Sequence, residues 1–213
     1  MKSVKEAMLL YGVTDGRWTG TKTLPQQVEC ALKGGATCIQ LREKQLAEED
    51  FLREALEIRE ICRRYGVPFL INDNVEIALR CDADGVHVGQ SDMAARNVRK
   101  LLGPDRILGV TARTVEQARA AEAAGASYLG SGAVFGSTTK TDARPLDRRD
   151  LQAICSSVSI PVVAIGGITQ ENLPLLAGTG VSGVALVSTI FSAPDIEKKC
   201  RELKALSEKM VQG

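Results

Sequence analysis

Short apolar runs recur along the chain, separated by longer stretches in which apolar residues return every three or four positions. The runs are LLYGV (9–13), CIQLR (38–42), PFLIN (68–72), GVHVG (85–89), ILGV (107–110), SYLGSG (127–132), PVVAIG (161–166) and GVALVS (183–188). Runs of this length, apolar at alternate positions on both faces, predict strands buried on both sides, as in a parallel sheet covered by helices. The stretches between them predict those helices. Within 48–65, Phe51, Ala55, Ile58 and Cys62 step by four, three and four, which places them on one helix face. Residues 114–124 predict a further helix, with Thr114 as N-cap and Gly125 ending it. The last helix runs through DIEKKCRELKALSEKM, and the Gly35-Ala36 and Gly125-Ala126 pairs suit tight turns from helix to strand.

Eight such β/α units in 213 residues predict a single-domain (β/α)8 TIM barrel spanning 1–213, since no linker or low-complexity segment interrupts the pattern. A doubly wound open sheet is the alternative with the same element order.

Composition narrows the partners. Lys+Arg (27) and Asp+Glu (26) nearly cancel, and aromatic residues make up only 4%. Neither a nucleic-acid nor a membrane-surface partner is expected from that balance. No apolar run approaches the ~18 residues of a membrane span, and AMLLYGV is too short for a secretory signal. The six cysteines lie at 30, 38, 62, 81, 155 and 200 with no CxxC pair, which predicts reduced thiols in a cytoplasmic protein. The sequence is compatible with a homo-oligomer.

In a TIM barrel the residues just after each strand line the active face. Here they are polar: QLREK (40–44), IND (71–73), HVGQSD (87–92), GVTART (109–114), GSTTKTDARP (136–145), GGIT (166–169) and VSTIF (187–191). Arg42, Lys44 and Lys140 are cations at three strand ends that chain polarity brings together, which calls for a phosphate or pyrophosphate ligand. Singly, each would be read as a basic side chain reaching into solvent. Asp73 and Asp92 end neighbouring strands with no cysteine beside them, a donor set for Mg²⁺ rather than Zn²⁺, although either could instead cap the next helix. Gly166-Gly167 and Val187-Ser188 follow the seventh and eighth strands, where TIM barrels commonly hold phosphate on backbone N–H groups. The loop 131–146, rich in Ser, Thr, Gly and Lys, is long for a strand-to-helix connection and suggests a phosphate-grasping lid.

The stretches QLREK, NDNVEIAL, DGVHVGQSD, GVTART, GSTTKTD and AIGGIT, in this order and spacing, make the chain resemble the thiamin-phosphate synthase (thiamine-phosphate pyrophosphorylase) family nearly end to end. The resemblance implies a TIM-barrel transferase joining hydroxymethylpyrimidine diphosphate to thiazole phosphate, with Mg²⁺ as cofactor and two small phosphorylated substrates as partners. It implies that Gln40, Leu41, Arg42, Glu43, Lys44, Asn72, Thr111 and Lys140 bind the pyrimidine diphosphate, with Arg42, Lys44 and Lys140 neutralising the departing charge. Asp73 and Asp92 would hold Mg²⁺, and Ser137, Thr138, Thr139, Gly167, Val187 and Ser188 would bind the thiazole phosphate. Three positions depart from the family pattern: Thr111 replaces a usual serine, Arg113 a common histidine and Ser137 a usual threonine. The related thiazole tautomerases are the nearest rival, but they have little use for Arg42, Lys44, Asp73 and Asp92 together. A phosphate-sensing regulator and a sugar-phosphate epimerase or decarboxylase on the same barrel are the others.

His87 is the only histidine in the chain and the obvious acid-base candidate. Alternation puts it opposite Val86 and Val88, pointing inward beneath the active face, where it supports its neighbours by hydrogen bonding.

Overall fold

The computed structural model describes residues 3–90, 95–136 and 145–213. Every predicted run forms a strand: β1 (Leu10–Val13), β2 (Cys38–Leu41), β3 (Phe69–Asn72), β4 (Gly85–Val88), β5 (Ile107–Thr111), β6 (Tyr128–Gly132), β7 (Val162–Ile165) and β8 (Gly183–Leu186). They pair in parallel in chain order, and β1 pairs with β8, so the sheet closes into a barrel and the open doubly wound alternative falls. The helices are α1 (Val4–Ala7), α2 (Leu24–Lys33), α3 (Glu48–Tyr65), α4 (Val75–Arg80), α5 (Ala95–Leu102), α6 (Val115–Ala123), α7 (Arg148–Ser157), α8 (Ser188–Phe191) and α9 (Ile196–Gln212).

Local chemistry sets their ends. Thr23 and Gln26 form a reciprocal capping box at the start of α2, satisfying two otherwise orphaned N–H groups. The α3 helix opens on Glu48, Glu49 and Asp50, ends on Arg63 and Arg64, and stops at Gly66 in the left-handed conformation (φ 61°). That charge order complements the helix dipole. Thr114 caps α6, accepting from the Gln117 N–H at 3.2 Å. The crossover from β7 to β8 departs from the repeat: it carries only the 3₁₀ turn Leu173–Leu176, with Pro174 inside it. The eighth strand ends at Leu186, two residues before the predicted limit, because Val187 leaves extended backbone (φ −110°, ψ −90°) to start α8. The sixth strand runs through Gly132, so its following connection begins at Ala133 rather than 131.

Period-two alternation divides the core into two layers. Ile39, Leu41, Phe69, Ile71, Val86, Val88, Leu108 and Val110 face outward and pack with the helices. Tyr11, Val13, Cys38, Leu70, Tyr128, Val163 and Ala185 fill the barrel, where Ala7 and Met8 of the N-terminal segment join them. Two glycines make room for the large interior rings. A Cβ on Gly109 would lie 2.2 Å from the Tyr128 ring, and one on Gly130 would lie 2.9 Å from His87 Cε1. All six cysteines are free thiols. Among the described residues, no helix is long and apolar enough to cross a membrane.

Candidate active site

At the C-terminal ends of the strands, alternation turns Gln40, Asn72, His87 and Thr111 toward the barrel axis. A continuous hydrogen-bond chain runs beneath that face. Gln40 Nε2 donates to the Tyr11 hydroxyl. Tyr11 and Tyr128 bond hydroxyl to hydroxyl at 2.8 Å, His87 Nδ1 meets the Tyr128 hydroxyl at 2.9 Å, and His87 Nε2 meets Thr111 Oγ1 at 3.1 Å. The tyrosine rings stack edge to face at 5.9 Å. Burial pushes both phenols well above their ordinary range, so each keeps its proton. The inward position of His87 matches the alternation read from GVHVG.

The rim after β1 and β2 carries the charges. Thr14 N–H donates to the Gln40 carbonyl at 2.9 Å, and Arg42 N–H donates to Thr14 Oγ1 at 3.0 Å, which ties down the QLREK backbone as it leaves the barrel. Arg42 is half-buried and Lys44 exposed. Among the described residues, neither side chain makes a salt bridge. Asp15 instead pairs with Arg17 at 2.6 Å, and the Arg17 guanidinium holds its carboxyl below the usual range, with Arg42 adding a weaker pull. Glu43 is pushed up, first by burial and then by the Asp15 charge.

At the end of β3, Asp73 adopts the left-handed conformation (φ 62°), which aspartate tolerates better than most residues. Its N–H donates to the His87 carbonyl at 2.8 Å, and Asn72 Nδ2 donates to Asp73 Oδ2 at 2.6 Å. Capping of α4 falls to Asn74, whose side chain accepts from the Ile77 N–H at 2.9 Å. The exposed Asp73 carboxylate is therefore not the helix cap. An oriented oxygen donor suits a hard cation such as Mg²⁺. Among the described residues, no group of three or more His, Cys, Asp or Glu side chains could hold a metal by themselves.

Across the face, Gly166 (φ 98°) and Gly167 (φ 65°) form a turn that other residues could not enter. A Cβ on Gly166 would lie 2.4 Å from Ala133 Cβ, and one on Gly167 would lie 2.5 Å from the Gly136 carbonyl. The strand extensions interlock here: Val134 N–H bonds the Ile165 carbonyl at 3.0 Å and Phe135 N–H the Gly166 carbonyl at 3.1 Å. Asn172 Nδ2 holds the Gly167 carbonyl at 2.9 Å, and α8 starts at Val187-Ser188 with no side-chain cap.

The structure thus brings Gln40, Arg42, Lys44, Asn72, Asp73, Thr111, Gly167, Val187 and Ser188 to one end of the barrel. Leu41 is fully buried in the outer layer, so only its backbone can serve a ligand. Asp92, Ser137, Thr138, Thr139 and Lys140 lie outside the described residues. Arg113 reaches from the end of β5 to the Gly132 carbonyl, Nη1 to O at 2.5 Å, bracing the end of β6. Sequence reasoning missed Tyr11, Tyr128, Thr14 and Asp15. Tyr128 had a signal in its inward position opposite Gly109 on the neighbouring strand, whereas Tyr11 is paired with Cys38 and Ala185 and had none of that kind.

A closed parallel eight-strand barrel with its polar groups gathered at the C-terminal end defines a TIM-barrel protein. A family model described as thiamine monophosphate synthase matches residues 10–190. A thiamine-phosphate synthase of Ruminiclostridium cellulolyticum is 50% identical over 194 residues, covering 91% of this chain and 92% of the relative. One from Clostridium botulinum is 44% identical over 201 residues, covering 94% of each. The solved thiamine phosphate pyrophosphorylase from Pyrococcus furiosus superposes with a TM-score of 0.90 at 38% identity, over 98% of this chain and 99% of that one. The chain belongs to the thiamine monophosphate synthase family.

Proposed function

We propose that the protein condenses 4-amino-2-methyl-5-(diphosphooxymethyl)pyrimidine with 4-methyl-5-(2-phosphooxyethyl)thiazole, giving thiamin phosphate and pyrophosphate. Family membership carries the coarser statement, a transferase of thiamine biosynthesis. The observation that carries the finer one is the grouping of Gln40, Asn72 and Thr111 on the inward face of the same barrel end, beside Arg42 and Lys44. That end offers neutral hydrogen-bonding groups for a heterocycle and cations for a polyanion.

The reaction breaks the bond between the pyrimidine methylene and the diphosphate oxygen, and forms a bond from that methylene to the thiazole nitrogen. The amino group of the pyrimidine donates electron density to the methylene, so diphosphate leaves ahead of attack. Arg42, Lys44 and Lys140 neutralise the charge that collects on it. Gln40 and Asn72 hold the ring, Leu41 and Glu43 lie along its path through the QLREK backbone, and Thr111 bonds the diphosphate side. Asp73 and Asp92 would hold Mg²⁺, which when bound supplies further charge neutralisation to the diphosphate. The thiazole phosphate sits on the Gly167 turn and the start of α8 at Val187 and Ser188, and Ser137, Thr138 and Thr139 also bind it. The nucleophile is a neutral ring nitrogen with no proton to lose, so no general base is needed, and His87 stays beneath the face.

Incubating the purified protein with both substrates, with and without Mg²⁺, tests this reading. Thiamin phosphate should form only with the metal present. No product under any condition overturns the synthase, and product independent of Mg²⁺ overturns the role of Asp73 and Asp92.

A further inference from the structure

We infer that the buried chain Gln40–Tyr11–Tyr128–His87–Thr111 is a directional hydrogen-bond wire that holds His87 in one tautomer and makes the Thr111 hydroxyl a donor toward the active face. The inference rests on the proposed reaction for the identity of the ligand, but not for the wire itself.

Counting protons gives the direction. Each phenol has one proton to donate and lone pairs to accept with, and an amide nitrogen only donates. Gln40 Nε2 donates to Tyr11, so the Tyr11 oxygen is an acceptor there and its own proton goes to Tyr128, 2.8 Å away. Having accepted that proton, Tyr128 directs its own to His87 Nδ1 at 2.9 Å. A bare Nδ1 places the proton of the neutral ring on Nε2, which donates to Thr111 Oγ1 at 3.1 Å. The Thr111 proton is then left to point away from the wire. With Gln40 Nε2 donating to Tyr11, a doubly protonated ring would donate to Tyr128 and leave one of the two buried phenol protons without an acceptor.

The opposite polarity needs the Gln40 amide turned round, and it reverses every step. Oε1 would accept from Tyr11, Tyr11 from Tyr128, Tyr128 from Nδ1–H, and Nε2 from Thr111. Thr111 would then offer a ligand only lone pairs. Diphosphate oxygens are themselves acceptors, so only the first polarity lets Thr111 bind them. The same polarity leaves Gln40 Oε1 to accept from the amino group of the pyrimidine. Both ends of the wire thus match one ligand, and the interior sets them together. His87 is a positioning residue acting through Thr111. Gly109 and Gly130 make this possible, because any side chain there would occupy the space of the Tyr128 or His87 ring.

Because His87 is the only histidine in the chain, protein labelled with ¹⁵N-histidine reports one imidazole. Long-range ¹H–¹⁵N spectra of the full chain at neutral pH, without substrates, should show a protonated Nε2 and a bare Nδ1. A ring protonated at Nδ1, or at both nitrogens, overturns the wire whether or not the protein makes thiamin phosphate. Kinetics then test the consequence. Tyr128→Phe should raise KM for the pyrimidine diphosphate about tenfold, the size of one lost hydrogen bond to a charged group, and leave KM for the thiazole phosphate unchanged. In a Thr111→Val background the same substitution should add nothing further. Equal rises in both KM values, or additive effects of the two substitutions, would show that Tyr128 acts by packing alone and contradict the inference.

Discussion

Arg42 leaves the barrel on a backbone pinned by Thr14, with its guanidinium unclaimed by any salt bridge among the described residues. Asp15, the neighbouring carboxylate, is already held by Arg17. Arg42→Ala should therefore lower kcat/KM for the pyrimidine diphosphate by on the order of a hundredfold, through loss of a charge-assisted contact to the leaving group. Steady-state kinetics with varied pyrimidine diphosphate read this directly, and an unchanged value removes Arg42 from the reaction. Lys140→Ala should lower turnover severely, and an unchanged rate would remove the connection after β6 from the mechanism. At this scale the sequence was informative about charge and poor about direction. Arg42, Lys44 and Asp73 stood out because polar residues after apolar strands are conspicuous. That Leu41 faces away from the site follows from alternation with Gln40, yet the motif alone does not display it. The Tyr11–Tyr128 contact joins residues 117 positions apart, and only barrel closure brings them together.

Helix α3 shows how an element built for packing carries a chemical cost. Phe51, Ala55, Ile58 and Cys62 are buried along one face, as their spacing predicted, while Glu54 lies half-buried beside them. Among the described residues its Oε2 has no hydrogen-bond partner, and burial, followed by repulsion from Glu43 and Glu57, pushes its carboxyl up to about 7. An acid with a raised folded-state pKa leaves the native state holding a proton that the unfolded chain has released. Stability therefore falls as pH rises from the ordinary carboxylate range to about 7, and the full penalty remains above it. Glu54→Gln should raise the thermal midpoint at pH 8 by the equivalent of ~1 kcal/mol after allowance for solvent screening. The gain should vanish near pH 4. A gain that does not depend on pH would contradict this source of the penalty. Gly109→Ala tests the interior instead. Its methyl group would meet the Tyr128 ring, so unfolding in urea should show a loss of about 1–3 kcal/mol. An unchanged midpoint would mean the ring has room to move. Strand and helix identities were legible because each has its own apolar period. The β7–β8 crossover was not, since Pro174, Gly178 and Gly180 replace the expected helix with a 3₁₀ turn and glycines of positive φ.

For the whole molecule, eight parallel pairings place the ends of distant segments on one face, and the proposed reaction needs that convergence. The β2–β4 side offers Arg42, Lys44, Asn72 and Asp73, while the β7–β8 side offers the Gly167 turn and the start of α8. In the proposed reaction the two phosphorylated reactants would approach across the barrel mouth from these opposite sides. The barrel itself was readable from the count and length of the apolar runs. The hydrogen-bond wire beneath its face depends on which residues alternate inward at the same depth, which the chain reveals only once it has closed. The most direct measurement is the rate of thiamin phosphate formation from the pyrimidine diphosphate and the thiazole phosphate, with pyrophosphate quantified in the same reaction and Mg²⁺ added or withheld. Equal amounts of the two products, formed only with Mg²⁺ and lost in Asp73→Ala, are expected. Failure to form thiamin phosphate, or its formation at full rate without metal, would contradict the proposed function.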